Sequence, residues 1–316
     1  MQQSPMISIC IPAYKRADLL KRLLDSIAIQ TWKDFEVIVT DDSPDDTVRT
    51  VCRHYEGLFP LNYYLNDPAL GTPENWNEAI RNSKGRWIKI MHDDDWFAGS
   101  ESLEAFVRAI SSHPEVSFFS SAYRNSFPDG RTRNILVGPF RYRAILKRPA
   151  ILFAGNCIGP PSCTLFEKKE GLFFENRFKW LVDIDFYIRY LQSGNAFCIK
   201  EPLINIGISD TQVTMDSWRN RSVEIPENFL LLERVGVAQL KNLRIFDYWW
   251  RLFRNLRITD LKDIRDAGFN GPMPSRISAM VRFQKRIPAA LLTFGPVSKL
   301  LMLVCYFTTR LTKDSD

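Results

Sequence analysis

The first half of the chain alternates short β-branched runs with segments of helical periodicity, and this alternation constrains the fold more than any other feature. Short apolar runs predict strands, and apolar positions repeated at helical spacing predict helices. The predicted strands are 7–11, 35–39, 61–65, 87–91 and 116–123, and the helices between them follow Pro12 or cover 45–55, 73–83 and 99–112. Strands that are apolar throughout and separated by helices indicate a mostly parallel sheet with helices on both faces. We therefore predict an α/β fold, with irregular loops over 124–161 lining the functional site, a helix over 181–191 and a wholly helical region from 218 onward.

Two acidic clusters follow predicted strands, one at Asp41-Asp42 and one at Asp93-Asp94-Asp95. Ligands of open α/β sheets bind at the carboxyl ends of the strands, which is where both clusters fall. Three adjacent aspartates repel one another, and a divalent cation offsets that cost; oxygen ligands suit Mg²⁺ or Mn²⁺, which commonly accompany a diphosphate. The alternatives are a helix N-cap at Asp95 and a simple turn after Asp42.

The net positive charge of the chain comes from its C-terminal quarter. The net charge is +6, yet residues 231–316 carry 15 Lys/Arg against 7 Asp/Glu, and the first 230 residues carry 27 against 29. Between Ala267 and Lys313 there are seven basic residues and no acidic one. This asymmetry predicts a polyanionic partner, either nucleic acid or an anionic membrane face.

The C-terminal tail is apolar as well as basic. Residues 287–309 contain one charged residue, Lys299, and the unbroken apolar run 300–307 has eight residues, whereas a membrane span needs about twenty. An interfacial helix pair on an anionic leaflet fits this pattern best. A core helix and a true span remain as alternatives. We therefore predict that 218–316 is a helical, basic, membrane-associating region.

Several functional classes lack their sequence signatures. The composition, with 45% hydrophobic and 25% charged residues, excludes a disordered chain. The six cysteines form no C-x-x-C pair, so reduced thiols in the cytosol are expected, and the N-terminus has no secretory signal pattern. A dinucleotide enzyme would need G-x-G-x-x-G, which is absent. A sugar nucleotidyltransferase would need a glycine-rich loop after the first strand, and IPAYKRADLL has no glycine.

Three blocks of the sequence carry a resemblance to a known family. They are ISICIPAYKRADLLKRLLDSIAIQTWKDFEVIVTDDSPDDT, GTPENWNEAIRNSKGRWIKIMHDDDWF and FKWLVDIDFYIRYLQSG. In order and spacing these blocks resemble family 2 glycosyltransferases of the GT-A fold, whose sheet is Rossmann-like. The resemblance implies a catalytic domain over 1–217, with a nucleotide-sugar half at about 1–97 and an acceptor half at about 98–217.

The resemblance also implies a reaction. It is inverting transfer of a sugar from a nucleotide-diphosphate sugar, with UDP as the first expectation, helped by Mg²⁺ or Mn²⁺. The implied acceptor is a polyprenyl-diphosphate-linked glycan of a bacterial surface polysaccharide such as O-antigen, capsule or exopolysaccharide. The expected location is peripheral, on the cytoplasmic face of the inner membrane, without a nucleic-acid partner. The competing interpretations are a sugar nucleotidyltransferase and a non-enzymatic membrane- or nucleic-acid-binding protein.

Site residues follow from the resemblance, position by position. Asp95, together with Asp93, is expected to hold the metal. The residues expected to bind the nucleotide sugar are Pro12, Ala13, Tyr14, Arg16, Asp41, Asp42, Asn77, Lys84, Asp93 and Asp94.

The family's acidic pair implies Asp183 as the general base that accepts the acceptor's hydroxyl proton. Val182 stands where the family has the first acid, and Asp185 follows two residues on, so Asp185 is the alternative. His92 is a second departure, at a position that is usually apolar. Candidates for closing over the diphosphate are Gln212, Arg219 and Arg221, since arginine binds phosphate in a bidentate manner; a solvated linker is the alternative for that segment.

Overall fold

A computed structural model describes residues 4–208 and 219–309. The described residues form two compact units. The first comprises 4–149, 157–176 and 182–208, and the second comprises 150–156, 177–181 and 219–309. Two short segments of the predicted 1–217 domain thus belong to the second unit. The predicted boundary after residue 217 falls within the stretch that is not described, and it stays a prediction.

The N-terminal half of the first unit is a parallel sheet. Its strands are β1 (Ile7–Ala13), β2 (Phe35–Asp41), β3 (Leu61–Leu65) and β4 (Trp87–Ile90). They lie in the order β3-β2-β1-β4, and every neighbouring pair is parallel. Every residue of β1, β2 and β4 is buried, which explains why their sequences are apolar runs rather than alternating patterns. The carboxyl ends of these strands consequently meet at one edge.

The sheet continues without interruption into the second half of this unit. The further strands are β5 (Trp96–Phe97), β6 (Phe118–Ser126), β7 (Thr132–Ile135), β8 (Thr164–Glu167) and β9 (Ala196–Gly207). The order beyond β4 is β8-β6-β9-β5, with β7 on β6; β8 is antiparallel to both of its neighbours, and β6 and β9 are parallel. The α/β fold expected from the sequence is confirmed.

Helices cover both faces of the parallel half. They are α1 (Ala17–Ala28), α2 (Thr47–Arg53), α3 (Glu74–Asn82) and α4 (Ser102–Ser112). Odd-numbered residues of β1 and β2 join the apolar faces of α1, α2 and α4 in one core cluster. The opposite face meets α3: the Cys10 thiol donates to the Ala79 carbonyl, and Thr40 Oγ1 donates to the Asn75 carbonyl at 3.0 Å. The alternation of side chains along each strand fixes this two-sided packing.

The 124–161 stretch is more regular than predicted, which corrects that expectation. It contains β7 and the helix α5 (Pro139–Lys147). The first three residues of β7 are exposed and its sequence is polar, so the strand is held by pairing with β6 rather than by burial. Apolar periodicity cannot detect such a strand. One further helix, α6 (Val182–Leu191), belongs to this unit.

The second unit is helical. Its helices are α7 (Arg221–Val235), α8 (Leu243–Asn255), α9 (Leu261–Asp266), α10 (Ser275–Lys285), α11 (Ala289–Thr293) and α12 (Gly295–Thr309). Its core contains large aromatic side chains of α8, among them Trp249 and Trp250, which are fully buried. Within 4–208 and 219–309, none of the helices combines the length and the apolar character that crossing a bilayer requires.

Candidate active site

The site is built where β1, β2 and β4 end. The Asp42 backbone N–H donates to the Ala13 carbonyl at 3.1 Å, which ties the turn after β2 to the turn after β1. Lys15 has a φ of 62°, in the left-handed region that a lysine rarely adopts, and its N–H donates to Ser43 Oγ at 2.7 Å. Strained turns of this kind gather at functional sites. Tyr14 stands beside this turn with its side chain 51% exposed.

Arg16 is the counter-ion of the second acidic cluster. Its guanidinium approaches both carboxylate oxygens of Asp93, at 2.5 and 3.2 Å, and reaches Asp94 Oδ2 at 3.0 Å. The Asp94 carbonyl also accepts a hydrogen bond from Arg22 at 2.7 Å. Part of the repulsion that the sequence predicts for this cluster is therefore offset within the chain.

Burial dominates the electrostatics of the cluster. It raises the pKa of Asp93 to about 7, although Arg16 acts in the opposite direction. Burial likewise raises the pKa of Asp95 and lowers the pKa of His92 to about 4, so the His92 imidazole is neutral at physiological pH. A neutral imidazole is a competent metal ligand. A cation bound here would favour the ionised carboxylates and counteract the effect of burial.

One set of side chains in the described part of the chain could act as ligands of a divalent ion. Ligand atoms of His92, Asp94 and Asp95 lie within 4.8 Å of one another, and His92 Nδ1 is 3.9 Å from Asp95 Oδ2. Two carboxylates and an imidazole suit Mn²⁺, and the carboxylates suit Mg²⁺. Asp95 is the predicted ligand that belongs to this set. Asp93, the other predicted ligand, turns its carboxylate toward Arg16, and His92 stands in the set instead.

Lys89 and Ser162 support the cluster from below. The Ser162 hydroxyl accepts the His92 backbone N–H at 3.0 Å and also hydrogen-bonds to Asp95. Lys89 Nζ donates to the Ser162 carbonyl oxygen, and its burial lowers the pKa of this lysine to about 7. The only sequence signal for Lys89 is a charged residue inside the apolar run WIKIM.

Gly207, the last residue of β9, approaches the cluster from the other side. Its backbone N–H donates to Asp95 Oδ1 at 3.2 Å. A Cβ at this position would overlap the Asp94 carbonyl oxygen, so only glycine permits the approach. The sequence singles out neither Gly207 nor Ser162.

Asp41 and Asp42 are buried and already hydrogen-bonded within the chain. Asp41 accepts from the Ser43 N–H at 2.8 Å and from the Tyr63 hydroxyl at 2.7 Å. Asp42 accepts from Asn66 Nδ2 and from the Gly71 N–H, both at 2.8 Å. These bonds order the loop after β3, next to Pro12 and Ala13. A direct contact of either aspartate with the nucleotide stays a prediction.

Two predicted binding residues make contacts away from the acidic clusters. Asn77 has its amide occupied: Nδ2 donates to the Phe174 carbonyl at 2.9 Å, and Oδ1 accepts the Phe174 N–H at 2.8 Å. Lys84 precedes β4, and its N–H donates to Glu36 near the start of β2. Strands rise about 3.3 Å per residue, so Lys84 lies at the opposite edge of the sheet. Lys84 is thus remote from the carboxyl ends of the strands, and the amide of Asn77 is engaged with Phe174; a role of either residue in nucleotide binding stays a prediction.

Of the two candidate bases, Asp185 is committed to an ion pair. It is fully buried and pairs with Arg189 Nε at 2.8 Å. Asp183 is partly exposed at the start of α6, and its Oδ1 accepts the Ile184 N–H at 2.8 Å. The Tyr187 hydroxyl of the same helix donates to the Gly159 carbonyl at 3.1 Å, in the loop that leads into Ser162. This loop contacts both α6 and the acidic cluster.

The remaining candidates belong to the second unit or fall outside the described residues. Gln212 falls outside the described residues. Arg219 and Arg221 belong to the second unit. The Arg221 guanidinium donates to the Leu256 carbonyl at 2.6 Å and to the Arg257 carbonyl at 2.8 Å, so it stabilises the C-terminal end of α8. The Arg219 N–H donates to Glu224 at 2.5 Å.

Two solved structures share this fold at low sequence identity. S. aureus TarS 1–349, solved in complex with UDP-GlcNAc, superposes with a TM-score of 0.62 and 17% identity, covering 96% of this chain and 91% of TarS. The mannosyltransferase PcManGT from Pyrobaculum calidifontis, solved with GDP-Man and Mn²⁺, gives a TM-score of 0.55 and 16% identity over 98% of this chain and 88% of that one.

Sequence comparison is more specific than shape. A relative described as an uncharacterized glycosyltransferase of Haemophilus influenzae is 30% identical over 245 residues, which is 71% of this chain and 80% of the relative. The profile of the family described as Glycosyl transferase family 2 matches residues 8–169, about half of the chain, from β1 to just beyond β8. The chain therefore belongs to glycosyl transferase family 2 and is a glycosyltransferase.

Proposed function

We propose that the protein transfers a sugar, with inversion, from a nucleotide-diphosphate donor to a lipid-linked glycan acceptor in a divalent-cation-dependent reaction. The observation that carries the proposal is the donor set of His92, Asp94 and Asp95 at the carboxyl ends of the strands, beside Tyr14 and Arg16. UDP is the first nucleotide to test, with GDP and dTDP as alternatives. The neighbours in complex with UDP-GlcNAc and with GDP-Man and Mn²⁺ support this donor class.

We call the edge where β1, β2 and β4 end the donor edge, because the sugar donor is proposed to bind there. Its residues have separate roles in this proposal. The exposed ring of Tyr14 offers a surface for the base, and the turn around Lys15 keeps the backbone close to the diphosphate. Arg16 exchanges its carboxylate partners for phosphate oxygens, for which its planar fork is well suited. His92, Asp94 and Asp95 would hold Mn²⁺ or Mg²⁺, which neutralises charge on the leaving diphosphate.

Asp183 is the proposed general base. A carboxylate at the start of α6 that is partly exposed can accept a proton from the acceptor hydroxyl. Asp185 is fully buried, and protonating it would remove the carboxylate partner of Arg189, so it is poorly suited to that role. The proton passes to Asp183, the acceptor oxygen forms the new bond to the anomeric carbon, and the nucleotide diphosphate leaves from the opposite face.

The proposed acceptor is a polyprenyl-diphosphate-linked intermediate of a bacterial surface polysaccharide. A lipid-linked acceptor requires the enzyme to work at a membrane surface, and the proposed location is the cytoplasmic face of the inner membrane. The basic balance of residues 231–316 supports this location, since anionic lipids attract lysine and arginine.

Calorimetry of UDP, GDP, dTDP and CMP binding, with Mn²⁺ and with EDTA, tests the donor and the cation together. We expect one nucleoside diphosphate to bind in Mn²⁺ and to lose affinity in EDTA and in Asp95→Asn. Asp129→Asn is the matched control, because Asp129 is exposed in the turn before β7 and pairs only locally with Arg131. Nucleotide affinity that neither EDTA nor Asp95→Asn changes would refute the metal role.

A further inference from the structure

The short helix α11 has no buried residue, although its sequence is AALLT. Leu291 is 45% exposed, and Phe294, which directly follows the helix, is 59% exposed. Pro288 and Pro296 on either side are exposed as well. Side chains of this type normally lie inside a soluble domain, and a contiguous exposed group of them marks a contact surface.

The next helix, α12, extends the same character. Leu300, Val304 and Phe307 are 62%, 44% and 57% exposed, and their spacing of four and three residues places them on one face of the helix. A different set of residues holds α12 in the second unit: Met302, Cys305 and Tyr306 are buried, and Ser298 Oγ accepts from Trp250 Nε1 at 3.0 Å. The outward face is therefore not used to build the unit. We call the exposed side chains of Leu291, Phe294, Leu300, Val304 and Phe307 the apolar tip.

Exposed basic residues precede the apolar tip in the sequence. Arg282 and Arg286 are exposed at the C-terminal end of α10, just before it. Lys285 pairs with Asp260 at 2.6 Å, and Lys299 pairs with Asp247 at 2.7 Å, so within 275–309 the two arginines are the cations that offer charge outward. No acidic residue occurs in the sequence between Ala267 and Lys313. Exposed apolar side chains that follow exposed arginines in the same unit are complementary to lipid that carries negative headgroups above an apolar interior.

We propose that the apolar tip, with Arg282 and Arg286, is a docking surface for an anionic lipid bilayer. Leu291 and Phe294 enter the headgroup and acyl boundary, and the two arginines bind lipid phosphates at the surface. The proposal deepens the proposed function, because docking would bring the enzyme to a lipid-linked acceptor. It concerns residues distant in sequence from the donor edge, so each can fail without the other.

Co-sedimentation of the full chain with vesicles tests the docking surface. The vesicles are phosphatidylcholine alone or phosphatidylcholine mixed with phosphatidylglycerol. We expect binding to the mixed vesicles that the double substitution Leu291→Ser with Phe294→Ser weakens by about 10-fold or more, since both anchors are lost. We expect Arg282→Glu with Arg286→Glu to weaken binding at low ionic strength and to matter less at high ionic strength.

Phe140→Ser is the matched control, because Phe140 is an 84% exposed aromatic side chain on α5 in the first unit. It should leave vesicle binding unchanged. Nucleotide binding measured on the same samples separates this proposal from the donor proposal, and it should survive the double substitution. Absence of wild-type binding to mixed vesicles, or equal binding by the Leu291 and Phe294 variant, overturns the proposal. Light scattering that finds a dimer lost in this variant, without lipid binding, assigns the surface to a second copy and also overturns it.

Discussion

Lys89 is a buried side chain that destabilises the fold and at the same time orders the residues of the candidate site. It lies in the middle of β4 with no solvent exposure, near the rings of Phe97 and Phe106, and its ammonium group bonds to the Ser162 carbonyl. Burying a cation without a carboxylate partner is costly. The hydrogen bond from Lys89 fixes the position of Ser162, and the Ser162 hydroxyl in turn hydrogen-bonds to His92 and Asp95.

Lys89→Met should therefore raise the free energy of unfolding near pH 7. The pKa of Lys89 is about 7 in the folded chain and near 10.5 in the unfolded chain, so between these values the unfolded chain binds one more proton and wild-type stability rises with pH. A tenfold difference in proton affinity between the folded and unfolded chain corresponds to about 1.4 kcal/mol. The free energy of unfolding of Lys89→Met should therefore exceed that of the wild type by a few kcal/mol at pH 7, and by less as the pH approaches 10.5. Denaturant unfolding at pH 7 and pH 10 measures this. Lys84→Met, at an exposed lysine, is the control; a wild type more stable than Lys89→Met at pH 7 would contradict the prediction.

Asp183→Asn should lower kcat by about 10²- to 10⁴-fold while leaving nucleotide affinity unchanged, because a general base acts on the acceptor. Single-turnover transfer and donor binding, measured side by side, check this. Asp185→Asn should instead lower the thermal midpoint, because it leaves the Arg189 guanidinium without its carboxylate partner. An active Asp183→Asn together with a folded, inactive Asp185→Asn would exchange the two roles.

Some residues of the candidate site can be predicted from the sequence and others cannot. Asp93, Asp94 and Asp95 are consecutive after an apolar strand, so their grouping is visible in the sequence. Ser162 and Gly207 meet the cluster from 70 and 112 residues away along the chain, and only the folded sheet brings them there. Such contacts leave no local pattern.

At the scale of elements, close approach of backbones matters most where β9 ends. Gly207→Ala should displace the Asp94 carbonyl and thereby the carboxylates of Asp94 and Asp95, at a cost of about 1–3 kcal/mol in stability and a clear loss of kcat/KM. Gly99→Ala is the matched control, since a Cβ on Gly99 meets no atom within 4 Å. Unfolding and transfer assays on the two variants give the comparison. Indistinguishable activities would mean that the 93–95 turn tolerates displacement.

Strands differ in how well the sequence predicts them. The run predicted at 61–65 matches β3, and the runs at 7–11 and 35–39 match β1 and β2 to within two residues at the carboxyl end. The missing residues are Pro12, Ala13, Thr40 and Asp41, at the edge of the sheet where the candidate site lies, and their sequence no longer has the apolar pattern of a buried strand. The predicted strands include none of β5, β7, β8 and β9. For β7 the reason is that its polar, mostly exposed residues are held by pairing with β6 and form no apolar run.

At the scale of the whole molecule, ligand binding should appear as a rise in thermal stability. A ligand that binds only the folded state adds about 2.7 kcal/mol at 100 times its dissociation constant. We expect the nucleoside diphosphate that binds the enzyme to raise the thermal midpoint of unfolding when Mn²⁺ is present. CMP, which lacks the second phosphate, should raise it less. EDTA should abolish the diphosphate effect. Equal shifts with and without the metal would argue against a shared site.

The contact of Arg16 with Asp93 and Asp94 has a thermodynamic consequence. A divalent cation arriving alone must compete with the guanidinium for Asp94, and a diphosphate arriving alone must draw the guanidinium away from both carboxylates. With both bound, Arg16 would exchange one anionic partner for another, and the Asp94 carboxylate would be available to hold the cation. Nucleotide and cation should therefore bind with positive cooperativity, each increasing the affinity for the other by the same factor.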